Sequence, residues 1–116
     1  MIPCPIQYLL LSSNSEVHDN LSQILEGELS TCESSIESVV THCTKILPHA
    51  IIVDTANPVF SATWFFSLRK QFETSEFPII VIVHETNKAL EESLSFLSRV
   101  TVFHAEEESW ETLAIF

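Results

Sequence analysis

The chain has 116 residues, and 46% of them are hydrophobic, which is enough for one domain, residues 1–116, with a closed core. Sixteen acidic and five basic residues give a formal net charge of −11, which argues against direct binding of nucleic acid or of a membrane surface. We therefore expect proteins or small molecules as partners. Cys4, Cys32 and Cys43 show no metal-ligand spacing and no signal peptide is recognisable, so a cytoplasmic protein with reduced thiols is predicted.

The first half of the chain alternates apolar runs with amphipathic segments. Residues 6–11 (IQYLLL) predict a buried strand, and apolar positions with helical spacing follow it up to Gly27. Gly27 is the only glycine and stands where a residue in the left-handed conformation would end that helix. A weaker strand at 28–33 and a helix at 36–47 come next. Two strand and helix units are thus predicted.

The second half of the chain continues this alternation. Residues 77–83 (FPIIVIV) form its clearest strand, because a continuous β-branched run is typical of a parallel strand covered on both faces. The other predicted elements are a strand at 50–53, a helix containing Trp64, Phe65, Leu68 and Phe72, a helix at 90–97, a strand at 100–103, and a short last helix from Trp110 that the end of the chain cuts off.

Five alternating strands and helices predict an α/β fold. We expect a flavodoxin-like, doubly wound, five-stranded parallel sheet of order 2-1-3-4-5. Ligand chemistry in such a sheet belongs at the carboxyl ends of strands 1 and 3, and Asp54 closes the third strand. The chain has no glycine-rich phosphate loop and no G-x-S-x-G elbow, so neither nucleotide binding nor serine hydrolysis is expected.

The pattern of these units resembles the receiver domain of bacterial response regulators over essentially the whole chain. The features that carry the resemblance are the five units themselves, Asp54 at the end of the third strand, Pro58 four residues later and the FPIIVIV strand. The resemblance implies a phosphoacceptor aspartate, an acidic pair after the first strand that helps to hold Mg²⁺, a Thr or Ser after the fourth strand and a Lys after the fifth. Asp54 matches the phosphoacceptor.

The other edge positions depart from the family pattern, and Asp54 is therefore expected to be a vestigial or residual phosphoacceptor. Mg²⁺ in such sites relies on carboxylates and phosphate oxygens, and phosphoryl transfer depends on charge neutralisation. We expect no bound metal and no enzymatic activity. His104, at the position of the lysine, could replace its positive charge only when protonated. The departing positions are Ser12 and Ser13 for the acidic pair, Val83 and His84 for the Thr or Ser, and His104 for the Lys.

Receivers that lack the phosphorylation machinery form the pseudo-receiver subset. The runs TCES (31–34) and ANPVF (56–60) resemble the amino-terminal pseudo-receivers of the KaiA family of circadian-clock proteins. This resemblance implies an input module that contacts other signalling or clock proteins. It also allows a homodimer and implies oxidised quinone as a ligand. Two alternatives stay open: a phosphoaccepting receiver of a two-component pathway that uses Asp54, and the receiver of an atypical transcriptional regulator.

The resemblance also indicates where partners would bind. In receiver domains the fourth helix, fifth strand and fifth helix commonly carry dimer or partner contacts. The candidate interaction surface predicted here consists of Leu90, Leu94, Val102, Phe103 and Trp110.

Overall fold

The computed structural model describes residues 6–71, 77–85 and 87–115, so Cys4 and Phe72 lie outside the described residues. Strands and helices alternate along the described chain. In order they are β1 (Gln7–Leu11), α1 (Ser15–Ile24), β2 (Glu28–Ser30), α2 (Ile36–Ile46), β3 (Ala50–Asp54), α3 (Ala62–Arg69), β4 (Ile79–Val83), α4 (Lys88–Leu94), β5 (Val100–His104) and a 3₁₀ helix (Trp110–Ile115).

The strands form one parallel sheet of order β2-β1-β3-β4-β5, which confirms the predicted fold class. The register places Asp54 beside Ile82 and Val83 beside His104. All five residues of β3 and all five of β4 are buried, as expected for central strands covered by helices on both faces. The carboxyl ends of β1, β3 and β4 therefore meet at one edge of the sheet.

Two hydrophobic layers enclose the sheet because successive strand residues point to opposite faces. On one face, Leu9, Ile51 and Val81 pack in a cluster with residues of α2, α3 and α4. On the other face, Leu10 and Ile52 share a cluster with residues of α1 and the 3₁₀ helix. The helices thus cover both faces of the sheet and leave its carboxyl edge for the loops.

Gly27 has a different role from the predicted one. Helix α1 ends at Ile24, the extended Leu25 follows it, and among the described residues only Leu47 and Arg99 have a positive φ. A Cβ at Gly27 would lie 2.5 Å from the carbonyl oxygen of Ile6. Because the chain passes so close to the start of β1, a side chain is excluded here for steric reasons, and no left-handed cap is involved.

The last predicted helix is short and is a 3₁₀ helix in the structure. Its Trp110 ring packs on Phe103 with ring centroids 5.0 Å apart, and Leu113 is buried against the sheet. Within the described part of the chain, no helix combines the length and apolar character needed to cross a bilayer.

The two described cysteines are free thiols. Cys43 lies in the core, where burial raises the pKa of its thiol to about 11. Cys32 is partly buried beside the same cluster, and burial also raises its pKa. Because the thiolate is the reactive form, both cysteines are suited to packing and poorly suited to nucleophilic chemistry.

Candidate functional site

Three side chains converge at the carboxyl edge of the sheet. Ser12 follows β1, Asp54 is the last residue of β3, and His84 follows β4. Asp54 is only 2% exposed and is the one polar or charged residue among the buried side chains of the described chain. A buried carboxylate needs hydrogen-bond partners, because an unsatisfied charge inside a protein is strongly destabilising.

Both carboxylate oxygens of Asp54 have such partners. The hydroxyl of Ser12 donates to Oδ2 at 2.7 Å, and the backbone N–H of Ala56 donates to Oδ1 at 3.1 Å. His84 Nε2 lies 2.6 Å from Oδ1, and it donates there because an ionised carboxylate only accepts. Asp54 therefore holds together the loops that follow β1, β3 and β4.

The loop after β3 is tied to β4 by a second set of contacts. Both the hydroxyl and the backbone N–H of Thr55 donate to the carbonyl oxygen of Ile82, at 2.7 and 3.0 Å. Farther along the loop, the N–H of Val59 donates to Asn57 Oδ1 at 3.1 Å. The backbone around Asp54 is thus fixed from both sides, and its carboxylate is held in one position.

The structure brings only some of the residues predicted at the edge of the sheet into contact with Asp54. Ser12 and His84 contact the carboxylate, whereas Ser13 is exposed and Val83 is buried in the core. Val83 is the last residue of the fully buried β4, and His84 is the first residue after it, at the edge of the sheet.

His104 turns away from Asp54 and towards α4. Its Nε2 lies 2.6 Å from Glu91 Oε1, and its Nδ1 lies 3.5 Å from Glu108 Oε2. The hydrogen bond to Glu91 raises the pKa of His104, and the nearby charges of Glu91 and Glu107 act in the same direction. His104 therefore does not take the place of a lysine that serves Asp54.

Glu91 and Glu108, the two partners of His104, were not predicted from the sequence. The signal for Glu108 was the acidic run 106–108 directly after β5, which places carboxylates within reach of the strand end. No comparable local signal marks Glu91, because it lies on helix α4 while His104 lies at the end of strand β5.

The residues around Asp54 do not fit a receiver-type Mg²⁺ site. Such a site needs further carboxylates beside the phosphoacceptor, and here Ser12 and His84 occupy the contacts of Asp54. Across the described residues there is no group of three or more His, Cys, Asp or Glu side chains arranged to hold a metal ion. The arrangement can hold a carboxylate in place, but it supplies no second carboxylate to share a divalent cation.

A cleft of about 970 Å³ opens beside His84. The loops after β3, β4 and β5 and the first turns of α3 and α4 form its walls, with the carboxylates of Glu85 and Glu106 among them. Its volume lies within the range of small-molecule pockets, and its walls combine apolar and polar groups. The apolar groups include Pro58, Phe60 and Leu90, and the polar groups include His84, Asn87 and Lys88.

The five residues predicted as an interaction surface do not share one surface. Leu90 and Leu94 are buried on the α4 side of the sheet, with Val102 partly buried beside them. Phe103 is buried on the opposite side, against the partly buried Trp110. Adjacent residues of β5, Val102 and Phe103, point to opposite faces of the sheet, and the binding of a partner at this edge stays a prediction.

The fold is that of CheY-like receiver domains. The chain is similar to the chemotaxis protein CheY4 of Vibrio cholerae, with a TM-score of 0.70 and 17% identity over 95% of this chain and 93% of that one. It is similar to a putative response regulator from Chloroflexus aurantiacus J-10-fl, with a TM-score of 0.72 and 19% identity over 97% and 93% of the two chains. A CheY-like protein (tadZ) from Pseudomonas aeruginosa PAO1 gives a TM-score of 0.71 and 11% identity over 95% of each chain. No family model and no curated protein matches the sequence.

Proposed function

We propose that the chain is a receiver-like signalling module that works without phosphorylation of Asp54 and acts by binding other proteins. The observation that carries this proposal is the state of the Asp54 carboxylate, which is buried and has a donor on each oxygen. Its fold supports a role in signalling by analogy with CheY-like domains, and its site supports the absence of phosphoryl transfer.

Phosphoryl transfer to a carboxylate needs a free oxygen in line with the phosphorus and cations that neutralise the developing charge. At Asp54 the Ser12 hydroxyl and the His84 ring occupy the approach to the two oxygens. Freeing either oxygen breaks a hydrogen bond to a charged group, which contributes about 1.5–3 kcal/mol. The other histidine near this edge, His104, is engaged by Glu91 and supplies no charge to Asp54.

A phosphodonor assay tests this proposal. The protein is incubated with millimolar Mg²⁺ and either acetyl phosphate or beryllofluoride, while its Trp fluorescence and intact mass are recorded. We expect both signals to stay unchanged, and a conventional receiver treated in parallel shows that the reagents are active. A mass gain of one phosphoryl group that is lost in Asp54→Asn would instead support a phosphoaccepting receiver.

The clock role is part of this proposal, and the positions of the two motif runs support it. TCES precedes α2 and ANPVF precedes α3, and the indole N–H of Trp64 donates to the carbonyl oxygen of Ser34 at 2.8 Å. Phe60, the last residue of ANPVF, packs edge-on against Trp64 with ring centroids 4.8 Å apart. The two runs thus belong to neighbouring loops joined through one side chain.

Oxidised quinone is the ligand we propose for the cleft beside His84. Phe60 and Leu90 offer apolar walls for a flat ring, and Asn87 and Lys88 offer donors for its oxygens. Trp64 packs edge-on against Phe60, so its fluorescence reports on this cleft, and Trp110→Phe leaves Trp64 as the only indole. Saturable quenching of that variant by an oxidised quinone is expected, and its absence would remove the quinone from the proposal without affecting the phosphodonor result.

A further inference from the structure

Three segments of the chain meet at the ring of His104. Its Nε2 lies 2.6 Å from Oε1 of Glu91, which belongs to α4. Its Nδ1 lies 3.5 Å from Oε2 of Glu108, in the loop between β5 and the 3₁₀ helix. The same oxygen of Glu108 accepts the backbone N–H of His104 at 2.8 Å. A single imidazole thus stands between two carboxylates from different elements.

The protonation state of His104 decides how many of these contacts it can make. A neutral imidazole carries one N–H and can donate from only one ring nitrogen, whereas an imidazolium donates from both. The side chains of His104 and Glu91 are 30% and 23% exposed, so the pair is partly sheltered from water. Sheltering strengthens a charged hydrogen bond relative to a fully exposed one.

The charges around His104 also favour the imidazolium. The hydrogen bond to Glu91 raises the pKa of His104, although partial burial of the ring opposes this effect. A small pocket beside the ring is lined by groups from the loop after β4 and from the loop after β5. The titratable groups that face this region are His84, Glu85, Glu106 and Glu107 from the loops, Glu91 from α4, and Glu108 beside the ring.

We propose that His104 is a proton-dependent clasp that joins α4 to the loop between β5 and the 3₁₀ helix. In its protonated form it binds Glu91 and Glu108 together, and on losing the proton it keeps at most one hydrogen bond. The position of α4 against this loop then depends on pH. This proposal goes beyond the signalling role and does not depend on whether Asp54 accepts a phosphoryl group.

The direction of the pH dependence follows from the raised pKa of His104 in the folded protein. The clasp is complete below the reference value of about 6.5 for an unperturbed histidine. It is lost as the pH rises through the higher folded value, because the proton leaves the ring there. The transition therefore lies above the reference value of about 6.5.

Proton NMR of the histidine rings, with ¹⁵N amide shifts recorded in the same titration, tests the clasp. We expect the titration midpoint of His104 to lie above about 6.5 and the amides of residues 88–94 and 105–109 to shift with that same midpoint. A His104 midpoint at or below 6.5, or amides in both segments that do not follow it, would overturn the proposal.

Four variants separate the clasp from a general effect on folding. Glu91→Gln should lower the midpoint of His104, and His104→Gln should abolish the shared amide transition. His104→Lys should hold the two segments in their acid-side positions across the range, because lysine stays charged. His18→Gln is the matched control, since His18 lies on α1 and its removal should leave the His104 midpoint unchanged. If a His104 variant does not fold, the wild-type and Glu91→Gln titrations still decide the outcome.

Discussion

The Asp54→Asn substitution distinguishes a carboxylate that anchors the fold from one that is held ready for chemistry. Asparagine keeps the shape of the side chain, removes its charge and replaces one acceptor oxygen by an NH₂ donor. In a site where carboxylates repel one another, neutralising one of them stabilises the protein. Asp54 instead meets the hydroxyl of Ser12, the ring of His84 and the N–H of Ala56, so we expect its neutralisation to be destabilising.

The size of the loss follows from the number of bonds. A hydrogen bond to a charged group contributes about 1.5–3 kcal/mol and a neutral one about 0.5–1.5 kcal/mol, so each of three bonds weakens by roughly 1 kcal/mol. Summed over the three bonds, the free energy of unfolding should therefore fall by about 3 kcal/mol. This sum counts the bond whose donor faces the new NH₂ group as one of the three. In a domain of this size, this corresponds to a decrease in Tm of roughly 10 °C.

Urea unfolding followed by Trp fluorescence measures this loss as a lower midpoint at unchanged slope. Ser12→Ala should lower stability by about 1–3 kcal/mol, because Oδ2 of Asp54 loses the hydroxyl that donates to it while remaining buried. Ser13→Ala is the matched control: Ser13 is exposed and its side chain bonds to none of the described residues, so a change within about 0.5 kcal/mol is expected. An Asp54→Asn variant as stable as the wild type, or more stable, would refute the anchoring role.

Two further predictions concern contacts elsewhere in the fold. Gly27→Ala should destabilise the protein by about 1–3 kcal/mol in urea unfolding, because its Cβ would collide with the carbonyl of Ile6, and unchanged stability would contradict that contact. Trp64→Phe removes the donor to the carbonyl of Ser34 and should lower stability by about 1–2 kcal/mol, measured by circular dichroism. Trp110→Phe is its control, since the Trp110 indole donates to no described residue, and an equal loss in both variants would assign the effect to ring packing.

The sequence predicted the sheet well because its central strands carry a strong and unambiguous pattern. The run FPIIVIV has neither helical spacing nor polar alternation, and β4 is indeed buried along its whole length. The five alternating units then determined the strand order, since right-handed crossovers leave few arrangements. The position of Asp54 at the carboxyl edge of the sheet followed from the same reasoning, because it depends only on where β3 ends.

The contacts within the site could not be predicted in the same way. Ser12 and Ser13 are equivalent in the sequence, and only the path of the loop after β1 decides which hydroxyl reaches Asp54. The direction of His104 depends on Glu91, thirteen residues away on another element. By contrast, the placement of Val102 and Phe103 on opposite faces of the sheet follows directly from the two-residue period of a strand.

The separate partners of the two histidines at this edge bear on how such a module would transmit a signal. The receiver resemblance implies one connected site, in which the groups after the third, fourth and fifth strands act on the same phosphoryl group. Here His84 binds Asp54, while His104 binds Glu91 on α4, so the edge contains two separate histidine–carboxylate pairs. An event at Asp54 has no direct electrostatic route to α4 through His104. Under the proposed function, a change in α4 arises from a proton on His104, from a ligand in the adjoining cleft or from a bound partner, and each of these acts without a phosphoryl group.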